Sequence, residues 1–91
     1  MTQNSLGIIE THSYAWALKV LQNLPETRSI KFIKIETSGD SIVSVFFEGE
    51  LVSIKEMIDI NSEVLKKENQ FITSLIIPKP HTDLIKYLKE K

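Results

Sequence analysis

The segment from Ile35 to Phe47 constrains the fold more than any other. Apolar and β-branched residues run up to Thr37-Ser38-Gly39-Asp40-Ser41 and resume at once with Ile42-Val43-Ser44-Val45-Phe46-Phe47. That is the pattern of two antiparallel strands joined by a short Gly-containing loop. Gly39 supplies a residue able to take positive φ, and Ser38, Asp40 and Ser41 supply side chains that hydrogen-bond nearby backbone donors. Read locally, the tip is a turn and nothing more.

The flanking segments complete the fold. Leu6-Gly7-Ile8-Ile9-Glu10-Thr11 is short, apolar and β-branched and reads as an opening strand. Thr11 or Ser13 caps a following helix whose Tyr14, Ala17, Leu18 and Leu21 share one apolar face, with Trp16 and Val20 beside it. Leu24-Pro25 ends that helix. Ser29 to Glu36 is the second strand; its adjacent Phe32 and Ile33 break alternation, which calls for a bulge or for cover on both faces, and the reading adopted is covered faces. In the third strand Val43, Val45 and Phe47 line one side.

Gly49 then turns the chain, Glu50 sits near the start of a second helix, and Ile54, Met57, Ile58, Asn61, Val64 and Leu65 form its inner face, with Asn61 in need of a partner. After the turn at Glu68-Asn69-Gln70, the near-continuous apolar run Phe71 to Ile77 implies a central strand. Pro78-Lys79-Pro80 stops it, and Thr82 or Asp83 caps a short terminal helix turning Leu84, Ile85 and Leu88 inward. The expected fold class is therefore α+β: a ferredoxin-like βαββαβ arrangement, a four-stranded antiparallel sheet with two helices on one face, plus a short C-terminal helix. One domain over residues 1–91, with its core at about 5–88, accommodates this length.

Composition excludes more than it selects. With 42% hydrophobic and 25% charged residues the chain has the makings of a folded globular protein, and a net charge of −1 gives no global field for nucleic acid or anionic lipid. No cysteine is present, so disulfides, thiolate metal sites and cysteine nucleophiles are excluded. No run approaches the roughly 20 apolar residues of a membrane span, and the first residues lack a signal-peptide pattern, which places the chain in the cytoplasm.

Catalytic signatures are missing as well. His12 and His81 are the two histidines, neither in a metal-ligand spacing, and the Glu10-x-His12 pair is the reading of a strand end. There is no phosphate-cradling glycine loop, nucleophile elbow or paired-carboxylate signature, so no catalytic residue, metal or cofactor is expected. The third strand lacks the basic-Gly-aromatic pattern of RNA-binding modules on this fold, because Phe46 and Phe47 are adjacent and point to opposite faces. A small ferredoxin-like metabolite-binding regulatory domain remains the alternative.

Taken together, Leu6-Gly7-Ile8-Ile9-Glu10-Thr11, the hairpin ending Phe47-Glu48-Gly49-Glu50, and Ile76-Ile77-Pro78-Lys79-Pro80-His81-Thr82-Asp83 resemble the bacterial microcompartment shell family, in its single-domain, hexamer-forming members. The resemblance runs from Ser5 to about Leu88. It implies a non-catalytic structural protein in the shell of a microcompartment within the cytoplasm. Six copies would form a flat tile with a central pore for small metabolites, and tiles would join one another and other shell proteins.

The family's hairpin tip faces the six-fold axis, which would put Ser38, Gly39, Asp40 and Ser41 at the pore. Six copies of Asp40 would make an acidic ring that favours neutral or cationic metabolites. Glu26, Pro78, Lys79, Pro80 and His81 would lie at the tile edge. Glu26 stands where the family usually has lysine, which implies weak sheet formation by this protein alone, and Lys79 stands where arginine is frequent, which keeps charge but loses the planar fork. The second helix, with Met57, Ile58, Ile60, Val64 and Leu65, departs from the family's alanine-rich one.

Overall fold

The structure, a computed structural model, describes residues 4–23, 29–38 and 41–90. Its elements are β1 (Ser5–Thr11), α1 (Tyr14–Gln22), β2 (Ile30–Ser38), β3 (Ile42–Gly49), α2 (Leu51–Lys67), β4 (Phe71–Ile77) and α3 (Thr82–Lys89). The strands form one antiparallel sheet in the order β2-β3-β1-β4. This is the expected α+β architecture, with α3 added after it.

Alternation along β3 decides where the core lies. Val43, Val45 and Phe47 are buried, and their cross-strand partners on β1 are Thr11, Ile9 and Gly7, so all six residues share one sheet face. Ala17 and Val20 of α1 and Ile54, Met57, Ile58 and Leu65 of α2 pack on that face in a single cluster with Ile30. Each large apolar side chain buried there contributes about 1.5–3 kcal/mol relative to exposure, and Ile9, Val45, Phe47 and Ile54 are wholly buried. Two glycines let the layers approach. A Cβ on Gly7 would stand 2.5 Å from the Phe47 ring, and one on Gly49 would stand 1.9 Å from the Ser29 carbonyl oxygen.

Asn61 illustrates how a polar residue is kept inside. It is almost fully buried; its amide donates to the Met57 carbonyl at 2.9 Å, and its side-chain oxygen accepts from Asn23 at 3.2 Å. The requirement read from sequence is thus met by one bond within α2 and one to the C-cap of α1. Ser13 is the N-cap of α1, accepting from the Trp16 N–H at 3.1 Å. Thr11, the other candidate cap, donates to the Gln70 carbonyl at 2.7 Å instead.

Several expectations are corrected. β4 is an edge strand, not a central one: its apolar run reflects α2 and the core on one face, where Phe71 and Ile76 pack, and an exposed Leu75 on the other. On α1 the buried residues are Ala17 and Val20, flanked by Trp16 and Leu21, while Tyr14 and Leu18 are exposed. Both stripes have helical spacing, and a nine-residue helix is too short for periodicity to choose between them. β2 carries a register shift between Phe32 and Lys34, so Ile33 is a bulge and the covered-faces reading is wrong; Phe32 is 45% exposed. Gly49 closes β3 and does not form a turn of its own. His81, rather than Thr82 or Asp83, is the N-cap of α3. Val64 and Leu84 sit partly outside the faces assigned to them, each at 37% exposure.

The reverse face of the sheet carries α3. Glu48, next to Phe47 but pointing the other way, is buried and accepts from Lys89 of α3 at 2.8 Å. Leu88 is the buried residue of α3, and Leu6, cross-strand neighbour of Glu48, is buried outside the main cluster.

Candidate functional site

The hairpin tip is closed by the last rung of the β2–β3 ladder, Ser38 opposite Ile42. The Ser38 hydroxyl donates to the Ile42 carbonyl at 3.5 Å, the long limit of a hydrogen bond. Its partner is thus an acceptor, where the sequence suggested donors. Ser41 adopts φ 68°, a left-handed conformation uncommon for a residue with a side chain. Ser38 and Ser41 are both exposed. Gly39 and Asp40 lie outside the described residues.

The segment after β4 is built at the opposite end of the sheet. Register shows this directly: Thr37, Val43 and Thr11 are cross-strand neighbours at the tip end, whereas Ile30 with Gly49, and Leu6 with Glu48 and Ile77, occupy the far end. There the Ser5 hydroxyl donates to the Pro78 carbonyl at 3.0 Å and pins the exit of β4 to the entry of β1. Pro80 is buried, while Pro78, Lys79 and His81 are exposed. His81 Nδ1 accepts the Asp83 backbone N–H at 3.1 Å. A nitrogen that accepts carries no proton to share, so the 3.7 Å approach of Asp83 Oδ2 to the same atom is not a hydrogen bond. Glu26 lies outside the described residues.

The structure thus keeps the two groups of predicted residues apart: Ser38 and Ser41 at one end, Pro78 to His81 at the other. Glu10 and His12 do not form a joint site. Glu10 accepts from Ser44 at 2.9 Å on the reverse face, and His12 is an exposed strand-end residue whose backbone N–H donates to Gln70. Among the described residues no group of three or more His, Asp or Glu side chains is placed to hold a metal ion. A cavity of about 260 Å³ lies between Asn23, Ile30 and the outer side of α2 at Ser53, Glu56 and Ile60. It adjoins the chain ends on either side of 24–28, and no sequence motif pointed to it.

Sequence reasoning missed the pairing of the buried Glu48 with the exposed Lys89. An acid inside an otherwise apolar strand was a signal, but its partner lies 41 residues away, where neither spacing nor periodicity reaches.

Comparison with known proteins points one way. A family profile described as the BMC domain matches residues 5–80. The chain is 25% identical over 88 residues to the bacterial microcompartment shell protein PduA of Citrobacter freundii, covering 97% of this chain and 95% of that one. It is equally 25% identical over 88 residues to PduA of Salmonella typhimurium strain LT2, covering 97% of this chain and 94% of that relative. Among solved structures, a microcompartment protein from Desulfitobacterium hafniense superimposes with a TM-score of 0.79 at 20% identity over 94% of this chain. The present chain spans about half, 48%, of that neighbour's length.

Proposed function

Because the chain belongs to the BMC-domain family, we propose that it is a structural protein of a bacterial microcompartment shell in the cytoplasm, and not an enzyme. Six copies form a closed tile in which the Ser38-Gly39-Asp40-Ser41 tip faces the axis and borders a central pore for small metabolites. Pro78, Lys79, Pro80 and His81, together with Glu26, face neighbouring tiles, made of this protein or of other shell proteins. One domain suffices for this role.

The observation that carries the reading is the placement of the two segments at opposite ends of one sheet. A wedge-shaped subunit of a ring needs one end at the axis and the other at the rim, and a loop repeated around a cyclic axis becomes a channel lining. Exposed apolar residues on the sheet, Phe32 of β2 and Leu75 of β4, support association. β3 is buried or half-buried along its length, and of the β2 residues only Phe32 is a large exposed apolar group.

Mass in solution tests the proposal. Light scattering at micromolar concentration should return six times the subunit mass of 10.4 kDa. A monomer overturns the tile. A dimer that melts higher with a small ligand would instead favour the metabolite-binding regulatory domain.

A further inference from the structure

The two helices on the core face differ in length, nine residues in α1 against seventeen in α2. They run antiparallel: Trp16 and Val64 line one narrow cleft, and further along α1 the C-cap Asn23 bonds Asn61 at 3.2 Å. From Asn61 back to Leu51, α2 continues with no residue of α1 alongside. The space left there, above Ile30 at the start of β2, is the cavity of about 260 Å³. Its size follows from the mismatch in helix length.

The lining has two characters. Ile30, Met57 and Ile60 are apolar, whereas Ser53, Glu56 and Asn61 bring a hydroxyl, a carboxylate and an amide. Ser53, Glu56, Met57 and Ile60 follow one another at three- and four-residue steps or less, so one side of α2 presents both characters. Among the described lining residues Glu56 is the charged one. Lys19 lies in the adjoining cleft, with its ammonium over the Trp16 ring at 4.2 Å, and does not line the cavity. The volume falls just under the roughly 300–1,000 Å³ of most small-molecule sites, which suits a short chain.

We propose that this cavity binds a small primary alkylammonium ion, with its chain against Ile30, Met57 and Ile60 and its charged end at Glu56 and Ser53. An ammonium has three donors and no acceptor, and the carboxylate of Glu56, the hydroxyl of Ser53 and the amide oxygen of Asn61 are all acceptors. An anion of the same length meets Glu56 with no lining cation to offset it. A neutral alcohol keeps the apolar contacts but loses the charge-assisted bond, which is the stronger kind. Ile30 pairs with Gly49 at the end of the sheet away from the hairpin tip, so the site is separate from the proposed pore. It belongs to one subunit and stands whether or not the ring does.

The sequence supplies its own reporter. Its two methionines are Met1 and Met57, and Met57 is buried and lines the cavity. In the full chain labelled with ¹³C at the methionine methyls, n-butylammonium chloride should shift the Met57 resonance saturably and leave Met1 unmoved. At equal ionic strength n-butanol should bind more weakly by about threefold, the scale of one exposed ion pair, and sodium butyrate should give no saturable shift. Glu56 is exposed, so Glu56→Gln preserves the fold; it should weaken n-butylammonium by about threefold and erase its advantage over n-butanol. Ile60 is 62% exposed, and Ile60→Trp places a ring at the cavity rim and should abolish the saturable shift. A Met57 shift that never saturates, butyrate binding as well as the amine, or an unchanged amine affinity in Glu56→Gln would each overturn the inference. Parent-like binding in Ile60→Trp would put the amine elsewhere and overturn it too.

Discussion

The two faces of the sheet are held by different physics. The face under α1 and α2 is closed by apolar burial, with Phe47, Val45, Ile9 and Ile54 at zero exposure. The reverse face is covered by a short helix held, among the described residues, by the buried Leu88 and the Glu48–Lys89 ion pair, with Tyr87 also engaged. Apolar burial is cooperative, because each side chain touches many others and a loss propagates through the cluster. A helix of eight residues is marginal alone, so α3 depends on its few contacts. The first face therefore defines whether the protein folds, and the second defines how its C-terminal segment sits on a fold that is already complete.

The largest expected effect tests the first half of that contrast. Phe47→Ala removes a wholly buried ring from the centre of the core face and should cost about 4 kcal/mol. In a chain of this size that is a large fraction of total stability. Denaturant titration followed by far-UV circular dichroism checks it, and a loss below about 1 kcal/mol would mean that the core face is less cooperative than its packing indicates.

A smaller effect, local rather than global, is expected on the reverse face. Lys89→Met keeps the length of the side chain and removes its charge, leaving Glu48 buried without that donor. Lys31, the cross-strand neighbour of Glu48, offers partial compensation, so the loss should be about 2 kcal/mol, within the range for an unsatisfied buried group. Hydrogen exchange separates the two faces: α3 amides should lose protection in Lys89→Met while those of β1 and β3 keep theirs. Equal loss in all of them would erase the distinction between the faces.

What could be read from the sequence follows the same division. Alternation in β3, the helical spacing of Ile54, Met57, Ile58 and Leu65, and the punctuation between segments are local signals, and each describes the core face correctly. The errors about β4 and β2 concern relations between distant segments, whereas those about the α1 stripe, Gly49 and the cap of α3 are local. Phe71 to Ile77 reads as a central strand because an apolar run does not separate an edge strand with one covered face from a strand paired on both sides. Phe32 and Ile33 read as covered because adjacency alone does not separate a bulge from a two-sided strand. Ser38 closes the hairpin and its tip stands at the opposite end of the sheet from Pro78–His81; the pore and tile-edge roles of these residues are proposals, and Glu26, Gly39 and Asp40 lie outside the described residues.

The smallest effect belongs to His81, and its value lies in being small. The imidazole is exposed and caps α3 through Nδ1 to the Asp83 N–H. Its removal in His81→Ala deprives one short helix of one side-chain acceptor. Losing a cap costs about 0.5–2 kcal/mol where the helix is integral to the fold. Here the lower end applies, because α3 can fray at its start while β1, β3, α1 and α2 stay packed, so global stability should fall by about 0.5 kcal/mol or less. The same residue stands at the end of the sheet opposite the pore tip, where tiles would meet. If that placement is right, His81→Ala rings should keep their mass and melting behaviour but form fewer or differently spaced sheets by electron microscopy. Sheets identical to the parent's would remove His81 from the tile edge, and a large drop in ring stability would show that α3 is as integral to the fold as the helices on the other face.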